Sequence, residues 1–176
     1  LYYAFEGAAP PKRTGAAHAT IYPYGPFRAG DGKLVMFGLQ NEREWAIFCD
    51  KVLLQPGLAT DARFASNALR TGARTALDEV IHSAFANLSA PEVVARLDAA
   101  GIANARINDI AEVWQHPQLA ARGRWTTVGT EKGAVPALRP PAGLDGVEPR
   151  MDPVPALGQH TDAVLGELGY SAEAIA

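Results

Sequence analysis

The dipeptide Asp31-Gly32, which stands between two apolar runs, constrains the fold of this chain more than any other feature. A tight turn between strands needs a positive φ, and glycine supplies it without steric cost. We therefore predict an antiparallel hairpin over residues 27–37. Just upstream, residues 20–27 favour extended structure but contain Pro23 and Pro26. Because proline lacks the N–H that a central strand donates, this segment is predicted to be an edge strand or an extended entry.

A helix is predicted directly after the hairpin. Asn41 can accept a hydrogen bond from first-turn N–H groups, and the acids Glu42 and Glu44 suit the positive end of a helix dipole. Pro56-Gly57 is predicted to end the element. Its buried face is expected to carry apolar residues at three- and four-residue spacings, which are Trp45, Phe48, Cys49 and Val52.

Two further helices are predicted from their apolar stripes and start signals. The first covers residues 75–88. The run Ser89-Ala90-Pro91-Glu92 then supplies an N-cap serine with proline and glutamate in the first turn, which predicts a helix that ends at Gly101. Gly101 is expected in the left-handed region just past the helix. The two stripes are Leu77, Val80, Ile81, Ala84, Phe85 and Leu88, and then Val93, Val94 and Leu97.

The remainder of the chain is less periodic. Residues 102–107 predict a short strand, and Asn108 or Asp109 is expected to cap a helix towards Trp114, which His116-Pro117 interrupts and restarts. Residues 124–128 predict another strand. Residues 131–155 are dense in proline and glycine, which suggests a long extended connection. A helix over about 161–168 follows, and Ser171 is expected to cap a further turn.

These elements together predict an α+β fold. It would consist of a small domain with a short antiparallel sheet and several helices, plus an extended C-terminal return segment that ends in a helix. The sequence begins at Leu1 within a Pro/Gly/Ala-rich stretch that resembles a connector, and we expect a fragment of a longer protein.

Composition limits the classes of function. Hydrophobic residues make up 48% of the chain and charged residues 20%, which is typical of a globular domain. A net charge of −3 offers no basic excess for a run of phosphates, so we predict no nucleic-acid partner. The single cysteine, Cys49, points to a reducing compartment, with the cytoplasm as the default. No apolar run reaches the roughly 18 residues of a membrane span, so no membrane association is predicted.

The sequence alone offers no self-sufficient active site. The four histidines lack metal-ligand spacing, so no metal is predicted. Cys49 lies on the apolar face of a predicted helix, where a buried inert thiol is the commoner outcome than a nucleophile. Glu42 and Glu44 are interpreted as dipole partners, and Trp45 and Trp114 as core anchors.

Several segments, in order and over nearly the whole chain, resemble the family III CoA-transferases. That group contains formyl-CoA:oxalate and carnitine CoA-transferases and, more distantly, α-methylacyl-CoA racemase. The matching segments are Arg13-Thr14-Gly15, His18-Ala19-Thr20-Ile21-Tyr22-Pro23-Tyr24-Gly25-Pro26-Phe27, Asp31-Gly32, Gln40-Asn41-Glu42-Arg43-Glu44-Trp45, Gly101-Ile102-Ala103-Asn104-Ala105-Arg106-Ile107-Asn108, Glu112-Val113, His116-Pro117-Gln118, Arg122-Gly123, Leu157-Gly158-Gln159-His160-Thr161-Asp162-Ala163-Val164-Leu165 and Leu168-Gly169-Tyr170.

The resemblance implies an organisation and a reaction. Residues 1–19 would be an interdomain connector, residues 20–130 a small α+β domain, and residues 131–176 a return linker and helix that dock on a large N-terminal domain absent here. Family members form dimers of interlocked ring-shaped subunits. An aspartate of the large domain attacks an acyl-CoA thioester to give a mixed anhydride and CoA thiolate, an acceptor carboxylate then enters and CoA is reattached. No catalytic residue is assigned to this chain, and CoA enters as a substrate rather than as a cofactor.

The resemblance also singles out four residues for the substrate site. The family's glycine-rich loop over the acyl group corresponds to the region around Gly15 and His18, although this loop reads Thr14-Gly15-Ala16-Ala17-His18 rather than a run of glycines. The second pair is Gln40 and Asn41. In the racemase branch a glutamate aligns with about Asn41, and an amide cannot supply its charge, which favours a transferase. A racemase-type isomerase and a non-catalytic binding or assembly module are the alternatives.

Overall fold

The chain folds as two compact units, the first ending at Asn108 and the second beginning at Asp109. This computed structural model describes Gly7 and residues 12–175. The predicted connector over residues 1–19 therefore lies partly outside the described residues. The boundary between the units falls inside the span 20–130 that was predicted as one domain, and the predicted limits at residues 19 and 130 stay predictions.

The first unit combines a three-stranded antiparallel sheet with helices, which confirms the predicted α+β fold. In chain order its elements are β1 (Tyr24–Arg28), β2 (Leu34–Gly38), α1 (Glu42–Ile47), a π-helical segment (Phe48–Val52), a 3-10 helix (Pro56–Thr60), α2 (Asn67–Gly72), α3 (Arg74–Phe85), α4 (Ala90–Ala99) and β3 (Asn104–Arg106). Strand β2 is central, with β1 and β3 antiparallel on either side. Pro26 therefore lies on an edge strand, where its missing N–H costs no ladder hydrogen bond.

The predicted hairpin at Asp31-Gly32 is confirmed. Gly32 has a φ of 82°, and its N–H donates to the Ala29 carbonyl at 3.0 Å. The Asp31 carboxylate accepts from the Lys33 N–H at 3.1 Å and from the Ala90 N–H, at the start of α4, at 2.9 Å. The turn is thus tied to a helix far along the chain, which helps to place the sheet against the helices.

The core lies between one face of the sheet and the helices. Its centre is Phe37, whose ring centroid lies 4.4 Å from that of Phe27, 5.1 Å from Phe48 and 6.1 Å from Phe85. Burying an apolar side chain of this size contributes about 1.5–3 kcal/mol. The other largest fully buried side chains are Trp45, Phe64, Leu77, Ile81, Leu97, Val35, Val52, Val93 and Pro23.

The predicted helix starts are confirmed by their caps. The Asn41 side chain accepts from the Glu44 N–H at 3.0 Å, and Ser89 and Glu92 form a capping box at the start of α4. Gly101 has a φ of 66° just past the end of α4, as expected. The caps form because each uses side chains within four residues of the helix start, so the local sequence suffices.

Two details of the first unit differ from prediction. The helical run from Glu42 ends at Val52 rather than at Pro56, because Leu54 adopts a left-handed φ of 57°; Pro56 then begins the 3-10 helix. Helix α2 was not predicted. Its buried residue is Arg70 rather than an apolar one, so it carries no apolar stripe.

The second unit contains a two-stranded antiparallel sheet and short helices. Its elements are α5 (Ile110–Trp114), α6 (Pro117–Ala121), β4 (Trp125–Thr130), β5 (Gly133–Leu138), α7 (Thr161–Glu167) and α8 (Ala172–Ile175). Asp109 caps α5, and the His116 imidazole caps the restarted helix α6 by accepting from the Gln118 N–H at 3.2 Å. Ser171 accepts from the Ala174 N–H at 3.3 Å, as predicted.

The second unit also departs from prediction in two places. Strand β5 lies inside the stretch that was predicted to be an extended connection. It forms because its backbone pairs with β4, and the proline- and glycine-rich sequence of this stretch gives no sign of that pairing. Trp114 was predicted as a core anchor, but 45% of its surface is exposed, although its ring centroid lies 4.1 Å from that of Trp125. No described residue from 109 to 175 is buried.

Within the described residues, no helix combines the length and apolar character needed to cross a bilayer.

Candidate functional site

Gly15 lies in a tight turn that follows the described start of the chain. The Ala17 N–H donates to the Thr14 carbonyl at 3.3 Å, and the Thr14 hydroxyl donates to the Ala17 carbonyl at 2.9 Å. Gly15 has a φ of 64°, a conformation that side chains with a Cβ rarely adopt. The turn therefore depends on glycine at this position.

His18 follows the turn and organises the main chain around itself. Its Nδ1 accepts from the Thr20 N–H at 3.1 Å and from the Ile21 N–H at 3.0 Å, so the neutral ring carries its proton on Nε2. Its own N–H donates to the Tyr24 carbonyl at 2.9 Å. Its ring stacks on the Tyr24 ring at a centroid distance of 5.2 Å and an angle of 24°.

Tyr24 is the residue that connects the predicted site residues, and the sequence reasoning did not select it. Its ring stacks with His18 and also lies against Gly38, its partner across the β1–β2 ladder. The pairing of Tyr24 with Gly38 does not follow from Asp31-Gly32 alone. The hairpin loop has three residues, Gly30-Asp31-Gly32, between paired Ala29 and Lys33, whereas a two-residue Asp31-Gly32 turn would have paired Tyr24 with Leu39. The register that places Tyr24 opposite Gly38 came from the structure, so no signal for this residue was available in the sequence.

Gln40 and Asn41 lie just beyond strand β2. The Asn41 side chain is committed to the helix cap, since its Oδ1 accepts from the Glu44 N–H and its Nδ2 donates to the Glu44 carboxylate at 3.0 Å. The Gln40 N–H donates to the same carboxylate at 2.8 Å. Gln40 also lines a groove that it shares with Tyr24.

Two cavities flank Tyr24. The first, of about 220 Å³, lies on the outer face of the sheet beside Gln40 and Met36. The second, of about 240 Å³, is bounded by the Thr14–Ala17 turn, strand β1 and helix α3. Because a pocket for a whole drug-sized ligand measures about 300–1,000 Å³, neither cavity alone encloses a molecule as large as a CoA thioester.

A polar cluster on α3 lines the second cavity. The Tyr22 hydroxyl donates a hydrogen bond to the Asp78 carboxylate, and the Arg74 guanidinium lies 4.8 Å above the Tyr22 ring. Burial, together with the hydrogen bond to Asp78, raises the pKa of Tyr22 far above its ordinary value. Tyr22 therefore stays protonated at neutral pH and serves as a hydrogen-bond donor rather than as a base.

Glu42 was expected only to interact with the helix dipole, but the structure also pairs it with a buried arginine. Its carboxylate receives two hydrogen bonds from the buried Arg70 guanidinium, at 2.7 and 3.0 Å. This hydrogen bonding holds the pKa of Glu42 below its ordinary value. The pair could not be read from the sequence, because its members lie 28 residues apart.

Cys49 is fully buried, as predicted, and burial raises its thiol pKa to about 12. A thiol in this state is a poor nucleophile at neutral pH. Among the residues that the structure describes, no group of three or more His, Cys, Asp or Glu side chains is placed to hold a metal ion.

Comparison with known proteins covers almost the whole chain. A family model described as CoA-transferase family III matches residues 1–161. An acyl-CoA transferase of Fusarium pseudograminearum is 34% identical over 172 residues, which is 94% of this chain and 37% of that protein. The succinyl-CoA:glutarate CoA-transferase of Mus musculus is 33% identical over 162 residues, which is 89% of this chain and 36% of that protein.

Solved structures show the same fold. The crystal structure of a CAIB/BAIF family protein from Brucella suis superimposes with a TM-score of 0.77 at 30% identity, covering 95% of this chain and 43% of that one. The chain therefore spans less than half the length of each of these relatives.

Proposed function

Because this chain belongs to CoA-transferase family III, we propose that the protein containing it transfers CoA from an acyl-CoA to a carboxylic acid. The family match over residues 1–161 carries this proposal. The relatives support it, since they are named as transferases of CoA between carboxylic acids such as succinate and glutarate. The nucleophile is an aspartate on a part of the protein outside this chain, and the reaction needs no cofactor besides the CoA thioester.

The surface around Tyr24 forms one wall of the acyl-CoA site. The Gly15 turn, His18 and Gln40 all lie beside Tyr24 or the cavities that flank it. Each cavity is too small for the whole substrate, which agrees with a site completed by another part of the protein. The Asn41 amide is held in the cap of α1 and carries no charge, so it cannot support a basic histidine as a racemase would require.

The second unit docks on the remainder of the protein. Its large apolar side chains face solvent, with Leu157 fully exposed and Ile110, Leu144 and Leu168 at 82%, 71% and 70%. Apolar side chains gain free energy when they leave water, so this surface favours a partner. The large N-terminal domain supplies that partner, the full-length protein is a homodimer, and the compartment is the cytoplasm.

The proposal is tested with the full-length protein and the isolated 176-residue chain. Each is incubated with succinyl-CoA and glutarate, the pair named for the relatives, and glutaryl-CoA is measured by mass spectrometry; oxalate, malate and citramalate serve as further acceptors. We expect transfer by the full-length protein and none above background by the isolated chain. Rapid transfer by the isolated chain would contradict the assignment of the nucleophile. Deuterium uptake at the α-carbon of a branched acyl-CoA without transfer would instead establish a racemase.

A further inference from the structure

A stripe of polar side chains on α2 and at the start of α3 forms hydrogen bonds with the main chain of residues 18–22, which follows the Gly15 turn. Asn67, Arg70 and Thr71 are spaced by three or four residues, so they share one face of α2. Arg74, the first residue of α3, reaches the same segment. Their hydrogen bonds to the main chain of residues 18–22 are Arg74 Nη2 to the His18 carbonyl at 2.9 Å and the Ala19 carbonyl at 3.1 Å, Asn67 Nδ2 to the Thr20 carbonyl at 2.8 Å, Thr71 Oγ1 to the Thr20 carbonyl at 3.4 Å, Arg70 Nε to the Tyr22 carbonyl at 3.1 Å, and the Tyr22 N–H to Asn67 Oδ1 at 3.1 Å.

These hydrogen bonds hold the backbone conformation of residues 18–22, whatever their side chains are. Each hydrogen-bond partner on the segment is a main-chain group, so these hydrogen bonds do not depend on which side chains stand at positions 18–22. Arg74 adds one side-chain contact, since its guanidinium lies 4.8 Å from the centroid of the Tyr22 ring. Satisfying a run of backbone groups by side chains is the role that a sheet ladder otherwise has. Residues 18–22 pair with no strand that the structure describes, and the side chains of the stripe satisfy their backbone groups instead.

Arg70 also connects this segment to Gln40 and Asn41, the second pair of predicted site residues. Its side chain is 3% exposed, and besides Tyr22 it donates to the Phe64 carbonyl at 2.9 Å and to both oxygens of Glu42. Its guanidinium also lies 4.8 Å from the centroid of the Trp45 ring. Glu42 directly follows Asn41 in the chain, so a single buried cation connects the His18 segment with the Gln40–Asn41 turn.

A buried guanidinium with these partners tolerates little displacement. Removing it from water is costly unless its donors are satisfied, and the planar fork demands a fixed geometry from each acceptor. The Glu42 carboxylate also accepts from the Asn67 N–H at 3.0 Å, which closes a ring of contacts through α1, α2 and residue 22. Moving one predicted site segment relative to the other would break several of these bonds together.

We propose that Asn67 and Arg70 are positioning residues for the substrate site: they hold the His18–Tyr22 main chain, and with it the His18–Tyr24 stack, in register with the Gln40–Asn41 turn. The inference rests on the proposed function, because it assumes that these segments contact the acyl-CoA. Neither residue lines the cavities beside Tyr24, so both act through the segment that they hold.

The test uses the full-length protein and three variants. Asn67→Ala removes two bonds to the segment without leaving a buried charge. Arg70→Lys keeps the charge but cannot reach the Tyr22 carbonyl and both Glu42 oxygens with one ammonium. Arg63→Met is the matched control, since Arg63 is an exposed arginine paired with Asp61 at 2.7 Å and stacked on Phe64, away from the segment.

Hydrogen exchange measured by mass spectrometry reports how firmly residues 18–24 are held. Steady-state kinetics reports the effect on CoA transfer. We expect about tenfold faster exchange in the peptide covering residues 18–24 for Asn67→Ala and Arg70→Lys. We also expect kcat to fall about 10- to 100-fold with a KM for acyl-CoA changed less than about threefold, because misplacing a held group costs rate rather than binding. Arg63→Met should match wild type in both.

Two results would overturn the inference. One is a folded Asn67→Ala variant whose residues 18–24 exchange at the wild-type rate. The other is faster exchange with an unchanged kcat. If wild type transfers CoA to none of the acids tested, the proposed function fails, and the exchange measurement alone then decides whether the stripe holds the segment.

Discussion

The aromatic ring of Tyr24 lies against the α-carbon of Gly38, its direct partner across strands β1 and β2. A Cβ at position 38 would lie 2.6 Å from Cγ of that ring and 2.7 Å from Cδ2, closer than real side chains approach. The same ring stacks with His18 at a centroid distance of 5.2 Å. Gly38 therefore sets how far Tyr24, and with it His18, can stand from the sheet.

Gly38→Ala should displace the Tyr24 ring and weaken the His18 stack. We expect a stability loss of about 1–3 kcal/mol from overpacking and a fall of at least about tenfold in kcat/KM for CoA transfer. Gly57→Ala is the control, because nothing lies within 4 Å of a Cβ built at that position. Denaturant titration and initial rates check both variants, and equal activity of Gly38→Ala and wild type would contradict a role for Tyr24.

The Glu42–Arg70 pair should make the free energy of unfolding depend on pH in the acidic range. Hydrogen bonding from Arg70 lowers the pKa of Glu42 from its ordinary value of 4.5, so the folded state binds fewer protons there than the unfolded state. The contribution is present above about pH 4.5 and is lost as the pH falls through the lowered pKa. Glu42→Gln should therefore be less stable than wild type at pH 7 and lose less further stability below pH 4.5.

Urea midpoints measured from pH 7 to pH 3 test this dependence. Asp61→Asn is the comparison, since Arg63 holds the pKa of Asp61 at about 2 in an exposed pair. Solvent screens an exposed pair, so it contributes little to stability, whereas Glu42→Gln removes the charged partner of a buried cation. Asp61→Asn should therefore cost less at pH 7, and parallel curves for wild type and Glu42→Gln would refute the linkage.

Phe37→Ala should be among the most costly core substitutions in the first unit. Phe37 is 1% exposed and contacts the rings of Phe27, Phe48 and Phe85, which cannot all close on the space it leaves. We expect a loss of about 3–5 kcal/mol in the free energy of unfolding. Leu69→Ala, at a residue 48% exposed, should change it by less than about 0.5 kcal/mol in the same urea titration.

Cys49 should resist thiol reagents as long as the first unit stays folded. Burial raises the pKa of its thiol to about 12, so the thiol is almost wholly protonated at pH 8, and the side chain is fully buried. Mass spectrometry of the Cys49 peptide after labelling should show slow modification that accelerates with denaturant as the unit unfolds. Rapid labelling in buffer alone would show that the thiol is accessible.

Features that depend on neighbours in the chain were predicted from the sequence. The Asp31-Gly32 turn, the Asn41 and Ser89 caps and the left-handed Gly101 are all confirmed. Each depends on hydrogen bonds or a backbone angle within a few residues, so the local sequence contains the whole cause. The resemblance of ordered motifs likewise predicted the family that the comparison confirms.

Features that depend on distant partners were not predicted. Strand β5 forms because β4 pairs with it, and α2 packs through Arg70, whose partners lie at Tyr22, Glu42 and Phe64. Tyr24 joins the candidate site only through the β1–β2 register, which places it opposite Gly38. The sequence by itself determined the turns, the caps, the apolar stripes and the family. The tertiary structure decided which polar side chains meet, because the energy of a buried guanidinium or a stacked ring depends on partners that chain spacing does not bring together.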